Sequence, residues 1–194
     1  MQYTEKEVAD AFNRLDRSTF MDSSKEAADI DSPAPIGHGQ TISQPSLVLK
    51  MTQNLDLETD SRVLEIGTGS GFQTALLAEL SKSVHTVERI EALSSKARNR
   101  LAQEYSNIQF KSGDGSKGWK EFAPYDRIMV TAASKNIPEP LIEQLAPGGK
   151  MVIPVGTFFG QELKLVEKDT ENDIHSSMID YVMFVELVED DDDG

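Results

Sequence analysis

The residues with the most evident chemistry lie between positions 40 and 115. Glu65-Ile66-Gly67-Thr68-Gly69-Ser70-Gly71 follows a short apolar run, RVLEI, and precedes FQTALLAEL, which reads as a helix. Glycines between a strand and a helix let the chain turn sharply and bring backbone amides close to a ligand at the helix N-terminus. The same glycines also suit a plain tight connection. Their spacing discriminates between cofactors. A dinucleotide fingerprint requires G-x-G-x-x-G, whereas this turn runs G-x-G-x-G and Phe72 stands where the third glycine would be. Glu65, two residues before the first glycine, would oppose a pyrophosphate and suit a ligand with a positive charge and an amino-acid head.

Two further acids fall into register with the turn. Glu88 ends the run SVHTVE, 23 residues after Glu65, where an acid can accept both hydroxyls of a ribose. Asp114, in Gly113-Asp114-Gly115, follows NIQFK and could accept an adenine amine. Each acid alone could be a solvated loop residue. Together they occupy the ends of three successive strands, which face one crevice in a doubly wound sheet. Upstream, Pro35-Ile36-Gly37-His38-Gly39-Gln40-Thr41-Ile42-Ser43-Gln44-Pro45 places hydroxyls and amides just before a helix start, a good place for an anion. Ser43 could equally be the N-cap of that helix.

The elements that must position these groups are legible as patterns. Thr4 and Glu7 form a capping-box pair, and Val8, Ala11, Phe12 and Leu15 predict a first helix ending near Arg17. Residues 21–41 lack periodicity and read as a long loop. Pro45 suits a first helical turn, with Leu47, Val48, Met51 and Leu55 on one face. From Arg62 strands and helices alternate: RVLEI, FQTALLAEL, SVHTVE, EALSSKARNRLAQEY, NIQFK, DRIMVT, PLIEQLA, KMVIPV. That alternation predicts βαβ units and a largely parallel sheet. QELKLVEK and MIDYVMFVEL then alternate as two antiparallel strands.

Length and composition fit one globular domain. The chain has 194 residues, with 19 Lys and Arg against 33 Asp and Glu, a net charge of −14. So acidic a surface gains nothing from counterion release and argues against general nucleic-acid binding. No apolar stretch approaches the roughly 18 residues a membrane span needs, and the N-terminus has no signal-peptide core. With no cysteine and three scattered histidines (His38, His85, His175), no metal site is expected. A cytoplasmic monomer is expected, comprising one domain over 1–188 (1–60 N-terminal helices and substrate loop, 61–188 core). Residues 189–194, dominated by an acidic run, are expected to be a solvated, disordered tail.

The glycine turn with its three acids resembles the Rossmann-like, class I S-adenosylmethionine-dependent methyltransferases over about residues 60 to 155. That likeness implies an α/β fold, a mostly parallel sheet flanked by helices with antiparallel C-terminal strands. PIGHGQTISQP goes further and resembles the signature loop of the protein-L-isoaspartate (D-aspartate) O-methyltransferases. The match continues through VLEIGTGSGFQTALLAEL, VERIEAL, GDGSKGW, APYDRIMVTAA, IPEPLIEQLAPGGKMVIPVG and QELKLV, and extends loosely upstream to RSTF. It covers about residues 14 to 188.

This resemblance implies roles residue by residue. Ser43 falls on the active-site serine, whose hydroxyl helps hold the isoaspartyl carboxylate. Gln40, Thr41 and Ile42 fall in the loop that closes over cofactor and substrate, and Val48 on a further cofactor contact. Glu65, Gly67, Gly69 and Gly71 fall on the methionine-binding positions, Glu88 on the ribose acid, and Asp114 with Gly115 on the adenine contacts. The implied cofactor is S-adenosyl-L-methionine, and the implied partners are damaged proteins and peptides carrying isoaspartyl residues. The methyl ester is expected to cyclise to a succinimide unaided, and hydrolysis returns some normal aspartate. Three departures stand out: no aromatic near Ala28, Phe72 where tyrosine is common, and Glu186 where proline is usual. The rival readings are a methyltransferase of small molecules that reuses the loop, and a cofactor-binding protein without turnover.

Overall fold

The computed structural model describes residues 1–22 and 25–189. The expected acidic tail therefore lies, from residue 190 onward, outside the described residues.

The first helix, α1 (Glu5–Arg14), is closed at its start by the capping box. The Glu7 amide donates to Thr4 Oγ1 at 3.3 Å and the Thr4 amide to Glu7 Oε2 at 2.8 Å. It stops short of Arg17 because Asp16 takes over locally. Its carboxylate accepts from the Ser18 amide at 2.9 Å and starts a separate 3₁₀ turn, Arg17–Phe20. The long loop expected over 21–41 is not structureless. It holds a two-stranded antiparallel hairpin, β1 (Ala34–Gly37) and β2 (Gln40–Ile42). Ala34 and Ile36 face inward while Pro35 and Gly37 face out, a period-2 pattern too short to register against the surrounding Pro and Gly. Helix α2 (Pro45–Leu55) follows, with proline in its first turn.

The core alternates as expected: β3 (Arg62–Ile66), α3 (Phe72–Glu79), β4 (Ser83–Glu88), α4 (Glu91–Leu101), β5 (Ile108–Ser112), β6 (Tyr125–Val130), α5 (Glu139–Gln144), β7 (Leu145–Thr157), β8 (Gly160–Lys168) and β9 (Ile174–Val182). The sheet order is β5-β4-β3-β6-β7-β8-β9. Strands β5 to β7 run parallel, and β8 and β9 return antiparallel. From β3 the chain goes out to β4 and β5, then comes back to β6 on the other side. That reversal puts the switch point, where ligands of such sheets bind, at the carboxyl ends of β3 and β6.

Boundaries differ by more than two residues at three further places. α4 ends at Leu101, four residues before the expected Tyr105. Strand β7 begins at Leu145, within the expected helix. β9 spans 174–182, whereas 178–187 was expected. After Val182 the chain leaves β8 and pairs elsewhere: the Ala133 amide donates to Val185 O and the Leu187 amide to Ala133 O, both at 2.8 Å. Residues 185–187 thus bridge to the loop after β6, across the carboxyl end of the sheet. The N-terminal helices do not stand apart, since Val8, Ala11, Met51 and Leu55 pack in one apolar cluster with Val63, Leu76 and Met129.

Candidate active site

A cleft opens at the switch point and has two compartments. The larger, about 190 Å³, is lined among others by Gln40, Thr41, Ile66, Gly67, Gly69, Val87, Glu88, Ile90, Gly115, Thr131 and residues 185–188. The smaller, about 50 Å³, is lined by Thr41, Ile42, Ser43, Val48, Met51, Thr68, Ser70, Phe72 and Gln73, with Gly67, Gly69 and Thr131 again. Thr41, Gly67, Gly69 and Thr131 border both, so the two form one continuous site.

Two positions show why the glycine turn needs glycine. Gly67 has φ +93°, and a Cβ there would overlap the Thr131 hydroxyl. That hydroxyl is already committed, donating to Ile66 O at 3.0 Å and Gly67 O at 2.8 Å. Gly71 is the left-handed N-cap of α3 (φ +88°), and its Cβ would meet Leu101 Cδ1 at 2.9 Å. Gly67 therefore lets two strand ends approach, whereas Gly71 lets α3 pack on α4.

Nine of the twelve residues singled out in the sequence line the cleft: Gln40, Thr41, Ile42, Ser43, Val48, Gly67, Gly69, Glu88 and Gly115. Gly71, Glu65 and Asp114 are not among that lining, and of the three acids Glu88 alone is. Asp114 Oδ1 accepts from the Ser116 amide at 2.9 Å and the Ser116 hydroxyl at 2.7 Å, capping the turn that presents Gly115. Glu65 is fully buried beneath the glycine turn, where its Oε2 accepts from the Thr74 and Thr86 hydroxyls, both at 2.6 Å.

The titration of Glu65 is shifted as well. Desolvation raises its carboxyl pKa to about 8 despite the two hydroxyl donors, with the Glu88 charge adding to the rise. Burial thus favours its neutral form. Glu88 is the acid that remains on the wall. It receives the Gly69 amide on Oε2 and the Ile90 amide on Oε1, each at 2.9 Å.

Sequence reasoning passed over several lining residues. Thr131 gave no signal of its own beyond ending DRIMVT. Val87 and Ile90 flank Glu88 and could have been inferred from it. The segment 185–188 was read as the end of a strand and noted for Glu186 replacing proline, and the structure places that residue on the wall of the larger compartment. The 3₁₀ turn bearing Arg17 was read only as a loose upstream match.

The chemistry of this lining can be set against an adenosylmethionine. A carboxylate beside a bend of backbone amides suits a ribose diol, the apolar Ile66, Val87 and Ile90 suit the faces of a base, and the small compartment beside Ser43 lies where a methyl and its acceptor could meet. The lining fits. The doubly wound sheet with this cleft at its switch point is that of an S-adenosylmethionine-dependent methyltransferase, and S-adenosylmethionine is its cofactor.

The family model for protein-L-isoaspartate(D-aspartate) O-methyltransferase matches residues 2–192, and the chain belongs to that family. It is an O-methyltransferase. A relative from Syntrophobacter fumaroxidans, protein-L-isoaspartate O-methyltransferase 2, is 49% identical over 183 residues, covering 93% of this chain and 74% of its own. The protein-L-isoaspartate O-methyltransferase of Vibrio atlanticus is 50% identical over 186 residues, with 95% and 88% covered. A crystallised Plasmodium falciparum protein, described as a protein-L-isoaspartate O-methyltransferase and bound to S-adenosyl-L-homocysteine, superposes with a TM-score of 0.82. It is 26% identical and covers 94% of this chain and 90% of that one.

Proposed function

We propose that this protein transfers a methyl group to the free carboxylate of isoaspartyl residues in damaged proteins and peptides, the first step of their repair. The observation that carries the reading is the junction of the two compartments. Ser43 and Glu88 sit in different halves of one cleft, joined through Thr41, Gly67, Gly69 and Thr131. In this reading the larger half holds the nucleoside, with Glu88 on the ribose hydroxyls and Gly115 beside the base. Gln40 and Thr41 close over it, and Ile42 and Val48 wall the smaller half beside it. Asp114 acts by shaping the turn at Gly115, and Glu65 and Gly71 by shaping the glycine turn.

When bound, the cofactor supplies a methyl on a sulfonium, an electrophile with a good leaving group. The acceptor carboxylate, with an ordinary pKa of about 4, is ionised at neutral pH. No general base is needed, and the cleft's lining offers none of the usual histidine. What the chain must do is hold the carboxylate in line and strip water from it. The Ser43 hydroxyl is suited to this: it donates one hydrogen bond without neutralising the nucleophile as an arginine would. The wall formed by Thr41, Ile42 and Val48 limits water. The enzyme acts in this reading as a cytoplasmic monomer.

The deciding assay is labelled methyl transfer to an isoaspartyl peptide beside its normal-aspartyl twin. Labelling of the isoaspartyl peptide alone is expected. Equal labelling of both, or of neither, sinks the reading.

A further inference from the structure

Arg17 lies outside the cleft lining, yet it is 6% exposed and its guanidinium donates to five backbone carbonyls. Nη1 reaches Ala27 O at 3.3 Å, Ala28 O at 3.0 Å and Ile30 O at 3.4 Å. Nη2 reaches Ser32 O at 2.9 Å and Ser43 O at 3.1 Å. One side chain therefore ties a segment with little regular structure to the peptide of the serine that borders the small compartment. The same segment sends back a second tether, since Asp31 Oδ1 accepts the Ser46 amide at 2.8 Å.

These tethers stand in for something the sequence lacks locally. Ser43 sits in the two-residue link between β2 and α2, and the N-cap of α2, Gln44, makes no side-chain capping bond. Asp31 supplies from a distance the acceptor that an Asp or Ser N-cap would supply in place. Burying a guanidinium is costly, and an apolar side chain could fill the space. A planar fork with donors on two nitrogens reaches carbonyls on two separate segments in a fixed geometry, which a compact ammonium does not impose.

We propose that Arg17 is a positioning residue for the acceptor site: with Asp31 it fixes the backbone at Ser43, so that the serine hydroxyl meets the isoaspartyl carboxylate in one place. The proposal rests on the reading of Ser43 given above. It assigns Arg17 little part in cofactor affinity, because most of the larger compartment is built on strand ends that Arg17 does not touch.

The test compares wild type, Arg17→Lys, Asp31→Ala and Ser43→Ala for peptide kcat and KM, for S-adenosylhomocysteine affinity by calorimetry, and for folded fraction by circular dichroism. Arg17→Lys keeps the charge and loses the fork. Its peptide kcat/KM, corrected for folded fraction, should fall roughly tenfold or more, the scale of misplacing a reacting group, with cofactor-product affinity within about threefold of wild type. Unchanged kinetics, or a loss explained by folded fraction alone, overturns the proposal. Should Arg17→Lys fail to fold, the exposed Asp31→Ala decides, with a smaller fall in peptide kcat/KM expected and no change counting against. Ser43→Ala separates the two readings. A wild-type rate there removes the serine's role and this proposal with it, whereas a slow Ser43→Ala beside an unaffected Arg17→Lys overturns the proposal alone.

Discussion

Glu88 holds the Gly69 amide at 2.9 Å, so the end of β4 is tied to the middle of the glycine turn that follows β3. With the Ile90 amide on its other oxygen, the carboxylate is fixed on two sides and still has acceptor capacity for two hydroxyls. Glu88→Ala removes the strut under Gly69 and, in the proposed reading, the ribose acceptor. Hydrogen bonds to a charged group are worth about 1.5–3 kcal/mol. Affinity for S-adenosylhomocysteine should therefore fall roughly ten- to hundredfold, with Glu88→Gln intermediate. Calorimetry measures this directly, and an unchanged Kd would show that the ribose assignment is wrong.

Gly67→Ala tests the close approach of β3 and β6. The new methyl would overlap the Thr131 hydroxyl at a backbone φ of +93°. Backbone strain of this kind costs about 1–3 kcal/mol, and the overlap adds to it. The urea midpoint should drop accordingly. Thr131→Ala in the same chain should recover the overlap but not the strain, so the double variant should lie between Gly67→Ala and Thr131→Ala. Recovery to the level of Thr131→Ala would mean the φ requirement had been overstated.

Ser43→Ala should separate turnover from cofactor binding. Ser43 borders the smaller compartment, whereas the proposed nucleoside site is the larger. Losing one hydrogen bond to a charged acceptor should lower peptide kcat/KM roughly tenfold or more, while S-adenosylhomocysteine affinity stays near wild type. Parallel loss of both quantities would place Ser43 in the cofactor site instead.

Strand-helix alternation and glycine spacing made the sheet, the switch point and Glu88 readable from sequence, because each rests on local periodicity or on a fixed offset from the glycine turn. Glu65 and Asp114 were placed at the right strand ends, but the bonds that hold them were not legible. Their partners, Thr74, Thr86 and Ser116, are ordinary residues until the fold brings them near. The β1–β2 hairpin was invisible because each strand is only three or four residues long. Arg17 could not be weighed either, since its five acceptors are all main-chain atoms and leave no trace in residue types.

The pH dependence of stability offers the last test, and it turns on Glu65. In the unfolded chain its carboxyl titrates near 4.5, and in the folded chain near 8. Between these values the native state holds a proton that the unfolded state has released, so stability falls as pH rises, by at most about 1.4 kcal/mol per pH unit. His85 works the other way at lower pH. Burial, with the Arg62 charge nearby, depresses its pKa below 6.5, so its contribution is lost as pH falls below that value. The two effects therefore separate above pH 6.5. From there to pH 8 the melting temperature of wild type should decline, while that of Glu65→Gln, which keeps an acceptor for the Thr74 and Thr86 hydroxyls but cannot ionise, should decline less. Parallel curves for the two proteins would mean that Glu65 is already ionised in the folded state, with a negative charge beneath the glycine turn.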